Sequence, residues 1–115
     1  MIRIDRQEEN KMIGVNLYKP DEIRDESFKY AVIAARYEDK WVFCRHKERN
    51  TWEIPGGHRE PGEKIEETAR RELAEETGAR ETELWPAAAY GVVRESGESF
   101  GMLFFARIHS KGDLP

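Results

Sequence analysis

The clearest periodic pattern of hydrophobic and polar residues in the chain begins at Ile65. Ile65, Ala69 and Leu73 recur at intervals of four among mostly charged residues, which is the spacing of one face of an amphipathic helix. Gly78 follows where helices commonly end, because glycine adopts the left-handed conformation there without steric cost. The pattern therefore predicts a helix from about Ile65 to Thr77.

Short apolar runs separated by turn residues occupy the rest of the chain and indicate strands. The predicted strands are Ile13–Tyr18, Phe28–Tyr37, Trp41–Lys47, Thr51–Ile54, Ala87–Val93 and Phe100–Ile108. The polar turn at residues 38–40 predicts that the second and third runs form an antiparallel hairpin. Pro86 is expected to bend or start the strand that follows the helix. Strands flanking a single long helix predict a mixed α/β (α+β) domain.

Composition narrows the class of protein. The 115 residues are 38% hydrophobic and 37% charged, which predicts one domain over residues 1–115 with a charged N-terminal segment at 1–27. We find no apolar run of membrane-spanning length and no signal-peptide core, so we expect residence in the cytoplasm. The net charge of −4 argues against non-specific binding to nucleic acid. The single Cys44 excludes an internal disulfide and a Cys-rich metal site.

The carboxylates of the predicted helix suggest chemistry. At about 100° per residue, Glu72, Glu75 and Glu76 border the apolar stripe. Glu72 and Glu76 are like charges four residues apart, which destabilise a helix unless something neutralises them. Magnesium binds a few carboxylates together with substrate phosphates. The alternative is a solvated acidic face, in which Arg71 and Glu75 form an ion pair. The turn Pro55-Gly56-Gly57 favours a binding site, because a ligand can approach glycine backbone closely.

The segment from Gly57 to Ala79 resembles the signature box of the Nudix hydrolases, and in particular of the small MutT-like members. The resemblance rests on Gly57, Glu63 and the run RELAEETG from Arg71 to Gly78, at the family's spacing. Ala79 departs from the larger aliphatic residue that is usual there. A long gapped match of this kind is far more specific than a lone glycine motif.

The resemblance implies a set of site residues. Glu72, Glu75 and Glu76 would bind the metal, with the Gly57 carbonyl as a further ligand. The expected metal is Mg²⁺, with Mn²⁺ as an alternative. The general base would come from the same three glutamates, with Glu72 favoured. Glu63 and Arg71 would fix the loop against the helix, and Gly78 would end it.

The substrate contacts are less specific. Arg45 and His58 lie where some relatives place phosphate-binding residues, and the alternative for each is an ordinary surface residue. We interpret His46 and His109 as surface or strand-end histidines and Cys44 as a packing residue. Five aromatic residues could stack on a base but are more commonly core residues in strands: Trp52, Phe28, Tyr30, Tyr90 and Phe104.

The resemblance also implies a mixed sheet packed between helices. The family's usual second long helix has no counterpart in this sequence. We expect either that the chain is truncated, or that the open face of the sheet is covered by the N-terminal segment or by a partner, such as a second copy in a homodimer. Only Asp113 is available in the last loop as an additional metal ligand.

The expected function is metal-dependent hydrolysis of a nucleoside diphosphate linked to another moiety. The favoured substrate is a nucleoside triphosphate such as 8-oxo-dGTP, cleaved to the monophosphate and pyrophosphate. Nucleotide sugars, ADP-ribose, dinucleoside polyphosphates and capped RNA stay open. The alternative from another class is a Nudix-fold nucleotide-binding or regulatory module without turnover. No membrane association is expected.

Overall fold

The computed structural model describes residues 11–46 and 51–112. Within them the chain forms eight strands, one α-helix and two short 3-10 helices, Pro20–Glu22 and Asp25–Ser27. The strands are β1 Met12–Tyr18, β2 Phe28–Tyr37, β3 Lys40–Trp41, β4 Cys44–His46, β5 Thr51–Glu53, β6 Gly56–His58, β7 Ala79–Arg94 and β8 Gly97–Lys111, and the helix is α1 Ile65–Thr77. No helix in this part of the chain is long and apolar enough to cross a membrane.

The main sheet is mixed, as predicted. Its strands run in the order β1-β7-β8-β2-β3, and β6 also pairs with β2. Strands β2 and β8 are parallel, whereas the other pairs of this sheet are antiparallel. Strands β4 and β5 form a separate antiparallel pair, which we call the β4–β5 ribbon.

Helix α1 packs on one face of this sheet through the stripe that its periodicity predicted. Ile65, Ala69 and Leu73 are each at most 4% exposed. They pack in one core with alternate residues of β2 and β8, including Ile33 and Phe104. The helix is therefore fixed to the sheet by its apolar stripe, and the residues that border the stripe are carried to the edge of this interface.

The helix ends are fixed by one predicted contact and one that comes from a distant residue. Gly78 has φ of 77° and donates its N–H to the Ala74 carbonyl at 2.9 Å, as expected for a glycine that ends a helix. At the other end, the Ile65 N–H donates to the Asp25 carboxylate at 3.3 Å. Asp25 lies forty residues earlier, so sequence reasoning about the helix did not find it.

The predicted hairpin between Phe28–Tyr37 and Trp41–Lys47 is wrong beyond its first residues. Strand β3 pairs with β2 only at Lys40 and Trp41, and the chain then leaves to form the ribbon. The reason is that β6 pairs with β2 from Tyr30 to Val32 and occupies that part of its edge.

The last two strands are longer than predicted. Strand β7 starts at Ala79, directly after the helix, and β8 runs on to Lys111. The two pair along nearly their whole length, which extends both beyond their apolar centres. Pro86 lies inside β7 next to a register shift, as expected for a residue that cannot donate a ladder hydrogen bond.

Candidate active site

One cleft brings the predicted site residues together. It has a volume of about 490 Å³ and lies between α1, strand β6 and the β4–β5 ribbon. Its lining residues are Cys44, Arg45, Glu53, Ile54, Gly56, Gly57, His58, Glu72, Glu75 and Glu76. The three helix glutamates, Gly57, Arg45 and His58 were all proposed from the sequence, and they meet here although they come from three parts of the chain.

Glu72 lies against the backbone of Gly57. A Cβ atom added at Gly57 would overlap the Glu72 carboxylate. The side chain of Glu72 is only 15% exposed, so it has little room to move away. Glycine at position 57 therefore lets this carboxylate approach the turn closely, and a side chain there would displace it.

Glu76 is the most perturbed carboxyl group of the cleft. Burial raises its pKa to about 6, and the neighbouring Glu72 carboxylate adds to this rise. Hydrogen bonds from the Cys44 thiol and the Gly56 N–H act in the opposite direction. The Gly56 nitrogen lies 3.3 Å from Glu76 Oε2. A bound cation would relieve the repulsion that the Glu72 carboxylate exerts on Glu76.

Arg71 connects the glycine turn to the helix. Its guanidinium donates to both oxygens of Glu63, at 2.7 and 3.1 Å, and to the His58 carbonyl at 3.0 Å. It also donates to Glu72 at 2.9 Å and to Glu75 at 3.4 Å. The hydrogen bond from Arg71 is the largest cause that lowers the pKa of Glu63 to about 2. The two residues predicted as a supporting pair are thus in bidentate contact, although that role itself stays a prediction.

The oxygen atoms of the cleft residues are of the chemical type that binds a hard divalent cation. The helix glutamates Glu72, Glu75 and Glu76 line one cleft together with Gly57, and carboxylate and carbonyl oxygens are the ligands that Mg²⁺ prefers. Among the described residues, no group of three or more His, Cys, Asp or Glu side chains is already converged as a complete ligand set. Glu75 is drawn toward Arg71 and its side chain is 60% exposed. The cleft therefore supplies the donors without a closed ligand shell.

The other residues named from the sequence lie partly in the cleft, partly outside it, and partly outside the described residues. Arg45 and His58 are exposed at the cleft, and the His58 ring contacts Tyr30 edge-on at 4.7 Å. His109 pairs with Glu83 at 3.1 Å, outside the cleft. Asp113, the N-terminal residues 1–10 and the side chain of His46 lie outside the described residues.

Of the five aromatic residues expected in the core, three are buried, Tyr30 is half-buried and one is exposed. Phe28, Tyr90 and Phe104 are at most 7% exposed. Trp52 is 68% exposed, contrary to its interpretation as a core residue. The reason is that β5 belongs to the β4–β5 ribbon rather than to the main sheet.

Sequence reasoning missed two residues of the cleft. Cys44 was interpreted as a packing residue, but it lines the cleft and its Sγ lies 3.9 Å from the Glu76 carbonyl oxygen. Burial raises the pKa of Cys44 to about 12, which keeps the thiol neutral. Glu53 was not singled out at all. The feature of the sequence that could have indicated Glu53 is its position in the strand that leads into the glycine turn.

Comparisons with known proteins agree with this fold. A Bacillus subtilis protein named as a candidate 8-oxo-dGTP diphosphatase, YtkD, is 36% identical over 94 residues, which is 82% of this chain. An RNA pyrophosphohydrolase of Caulobacter vibrioides is 33% identical over 86 residues, 73% of this chain. The crystal structure of the Bacillus subtilis pyrophosphohydrolase BsRppH matches with a TM-score of 0.77 and 31% identity, and covers 98% of this chain and 69% of its own.

This chain spans 59% of the length of YtkD and 41% of the length of the Caulobacter protein. The family model of the NUDIX domain matches residues 8–115, nearly the whole sequence and the entire cleft. The chain therefore belongs to the NUDIX family.

Proposed function

We propose that this chain hydrolyses a pyrophosphate bond in a nucleoside diphosphate linked to another moiety. The substrate that we favour is a nucleoside triphosphate such as 8-oxo-dGTP, cleaved to the monophosphate and pyrophosphate. The observation that carries the proposal is the meeting of Glu72, Glu75 and Glu76 with the Gly57 turn in one cleft. The similarity to YtkD and BsRppH supports it.

The reaction must neutralise a polyphosphate and make a water molecule nucleophilic near neutral pH. In the proposal, Glu72, Glu75, Glu76 and the Gly57 carbonyl hold Mg²⁺, with Mn²⁺ as a substitute. The metal supplies positive charge to the phosphate oxygens and lowers the pKa of bound water. The negative charge of the cleft itself would repel a polyphosphate, so this chemistry depends on the cation.

The chain's own residues orient the donors and receive the proton. Arg71 holds one Glu72 oxygen at 2.9 Å and ties the helix to the His58 carbonyl, so the glutamates keep a fixed relation to the turn. Arg45 and His58 line the cleft, and we assign the phosphate contacts to them. We assign acceptance of the water proton to the glutamate cluster, with Glu72 favoured as the general base.

A second substrate is supported by a specific observation. The structure of BsRppH matches 98% of this chain, and the Caulobacter relative is named an RNA pyrophosphohydrolase. We therefore include triphosphorylated RNA as a candidate that uses the same cleft and the same bond cleavage. The hydrolytic chemistry is the same for both substrates, so the glutamate cluster does not distinguish them.

The test is Mg²⁺-dependent release of phosphate or pyrophosphate across a panel containing 8-oxo-dGTP, GTP, ADP-ribose, diadenosine polyphosphates and triphosphorylated RNA. We expect turnover of at least one substrate. Glu75→Gln and Glu76→Gln should each lower kcat by about 10²–10⁴-fold, because each removes a carboxylate of the cluster. Glu66→Gln is the matched control, since Glu66 pairs with Arg70 on the outside of the helix.

Two results would contradict the proposal. Turnover that persists in both cluster variants would place the chemistry elsewhere. Absence of turnover with retained nucleotide binding, measured by calorimetry, would leave a binding module in place of an enzyme.

A further inference from the structure

The cleft has two walls of different composition. One wall is α1 with its three glutamates, together with the Gly57 turn. The other is the β4–β5 ribbon, which contributes Cys44, Arg45 and Glu53, with Ile54 next to it. In the proposed function the helix wall holds the metal, and Arg45 and His58 contact the phosphates. The nucleoside is then left to the part of the ribbon wall formed by Glu53 and Ile54.

Glu53 is on the face of the ribbon that points into the cleft. It pairs directly with Cys44, and directly paired residues of an antiparallel ribbon place their side chains on the same face. The Cys44 thiol reaches the Glu76 carbonyl at 3.9 Å, so this shared face is turned toward the helix. The charge of Glu53 contributes to the raised pKa of Cys44, in agreement with their proximity.

The carboxylate of Glu53 is oriented within its own strand. The Thr51 hydroxyl donates to Glu53 Oε1 at 3.2 Å. Glu53 is half-buried, and it lies on strand β5, apart from the helix that carries the glutamate cluster. A carboxylate at this place repels phosphate, so its favourable partner in a bound nucleotide is a group that donates hydrogen bonds.

Nucleobases differ in whether they offer such a group. Guanine and 8-oxoguanine present two adjacent donors, N1–H and the 2-amino group, which match the two oxygens of a carboxylate. Adenine, cytosine and uracil each place an acceptor beside their donor, and that acceptor would face the carboxylate. The apolar side chain of Ile54 in the same wall suits a flat base better than a hydroxylated sugar.

We propose that Glu53 is a specificity-determining residue that binds the N1–H and 2-amino edge of a guanine-type base. This inference rests on the proposed function and adds the identity of the base to it. It predicts discrimination against hypoxanthine, which keeps N1–H but lacks the 2-amino group.

The test compares kcat/KM for GTP, dGTP and ITP in the wild-type protein, in Glu53→Gln and in the control Glu81→Gln. Glu81 is an exposed residue of β7 outside the cleft. We expect the wild-type protein and the control to prefer GTP over ITP by about 10–100-fold, the effect of a hydrogen bond to a charged group. Glu53→Gln should bring that ratio close to one while activity on ITP is largely kept, which also shows that the variant is folded. RNAs beginning with guanosine or inosine replace the triphosphates if the panel identifies RNA.

Three outcomes would overturn the inference while leaving the hydrolase intact. Glu53→Gln could keep the preference for guanine, which would exclude this contact. It could instead lose a preference between GTP and dGTP, which would assign the carboxylate to the ribose hydroxyls. It could lower activity on all substrates equally and raise the Mg²⁺ requirement, which would make Glu53 a metal ligand. A wild-type chain that hydrolyses no nucleotide would overturn the proposed function itself, and this inference with it.

Discussion

Arg71 is the side chain with the most contacts in the cleft region. It contacts the carboxylates of Glu63, Glu72 and Glu75 and one backbone carbonyl, and its own side chain is only 22% exposed. Partly buried, bidentate contacts of this kind are stronger than exposed ion pairs. The position of Glu72 in the cleft therefore depends on a residue that we do not expect to touch the substrate.

At the residue scale, Glu63→Gln should destabilise the protein in a pH-dependent way. The folded-state pKa of Glu63 is lowered to about 2 from an ordinary value of 4.5, chiefly by the hydrogen bond from Arg71. A lowered folded-state pKa contributes stability above the unfolded-state pKa and loses it as the pH falls toward the folded-state value. The difference in unfolding free energy between wild type and variant should thus be complete at pH 7 and shrink between about pH 4.5 and 2.

Urea unfolding at pH 7 and at pH 3 measures this difference. Glu67→Gln is a useful comparison, because Glu67 accepts a hydrogen bond from the Lys64 N–H at the exposed start of the helix and has no contact with Arg71 among the described residues. A Glu63→Gln effect that is equally large at both pH values would contradict the prediction.

At the scale of elements, the site is the junction of a strand, a turn and a helix. Strand β6 is held by β2, and α1 is held by its apolar stripe, so the two are fixed separately to the same sheet. Gly57 sits where they meet, and its missing side chain makes the space that the Glu72 carboxylate occupies. The distance between turn and helix is therefore set by the packing of two elements against the sheet.

Gly57→Ala should reduce activity and stability together. The added methyl group overlaps Glu72, and relieving such an overlap costs about 1–3 kcal/mol of stability. Because Glu72 must move, we expect kcat to fall along with the melting temperature. Thermal unfolding and pyrophosphate release measure the two effects.

Gly14→Ala is the matched control for this substitution. A Cβ atom at Gly14 meets no atom within 4 Å, so its effect should be small in both measurements. Full activity of Gly57→Ala would show that Glu72 does not need its present position.

At the scale of the whole molecule, the chain places negative charge at the cleft for which we propose a negatively charged substrate. Its net charge is −4, and the cleft contains four glutamates beside Arg45 and His58.

The face of the sheet opposite α1 carries three large aromatic residues, Trp41, Trp85 and Phe105, which are 54%, 45% and 41% exposed. They contribute to a small cavity of about 170 Å³ on that face.

Because the folded cluster gathers carboxylates that the unfolded chain separates, Mg²⁺ should bind the folded state preferentially and raise the melting temperature. The gain is about 2.7 kcal/mol at a metal concentration 100 times Kd. Removal of the metal with EDTA should reverse the rise. The double variant Glu72→Gln/Glu76→Gln removes two of the proposed ligands and should show no such gain.

NaCl at matched ionic strength controls for screening in this experiment. An equal rise in the double variant would assign the effect of Mg²⁺ to general ionic strength, and the metal ligands would then have to be sought elsewhere.

The sequence by itself determined the features that depend on neighbouring residues. The bounds of α1 follow from the spacing of Ile65, Ala69 and Leu73 and from Gly78, because helix periodicity and helix ends are local. The spacing from Gly57 to Gly78 was enough to indicate the family for the same reason. Local pattern also identified most strands, but it missed the full extent of β7 and β8, which depends on their mutual pairing.

Only the tertiary structure decided what comes from residues far apart in the chain. Asp25 reaches the start of α1, β6 replaces the predicted hairpin partner of β2, and the β4–β5 ribbon turns Glu53 toward the helix glutamates. Each of these contacts joins segments that no periodic pattern links, because strand pairing and side-chain approach are set by the packing of the whole sheet. The residues of the helix wall were therefore predictable from the sequence, whereas the composition of the wall that faces it was not.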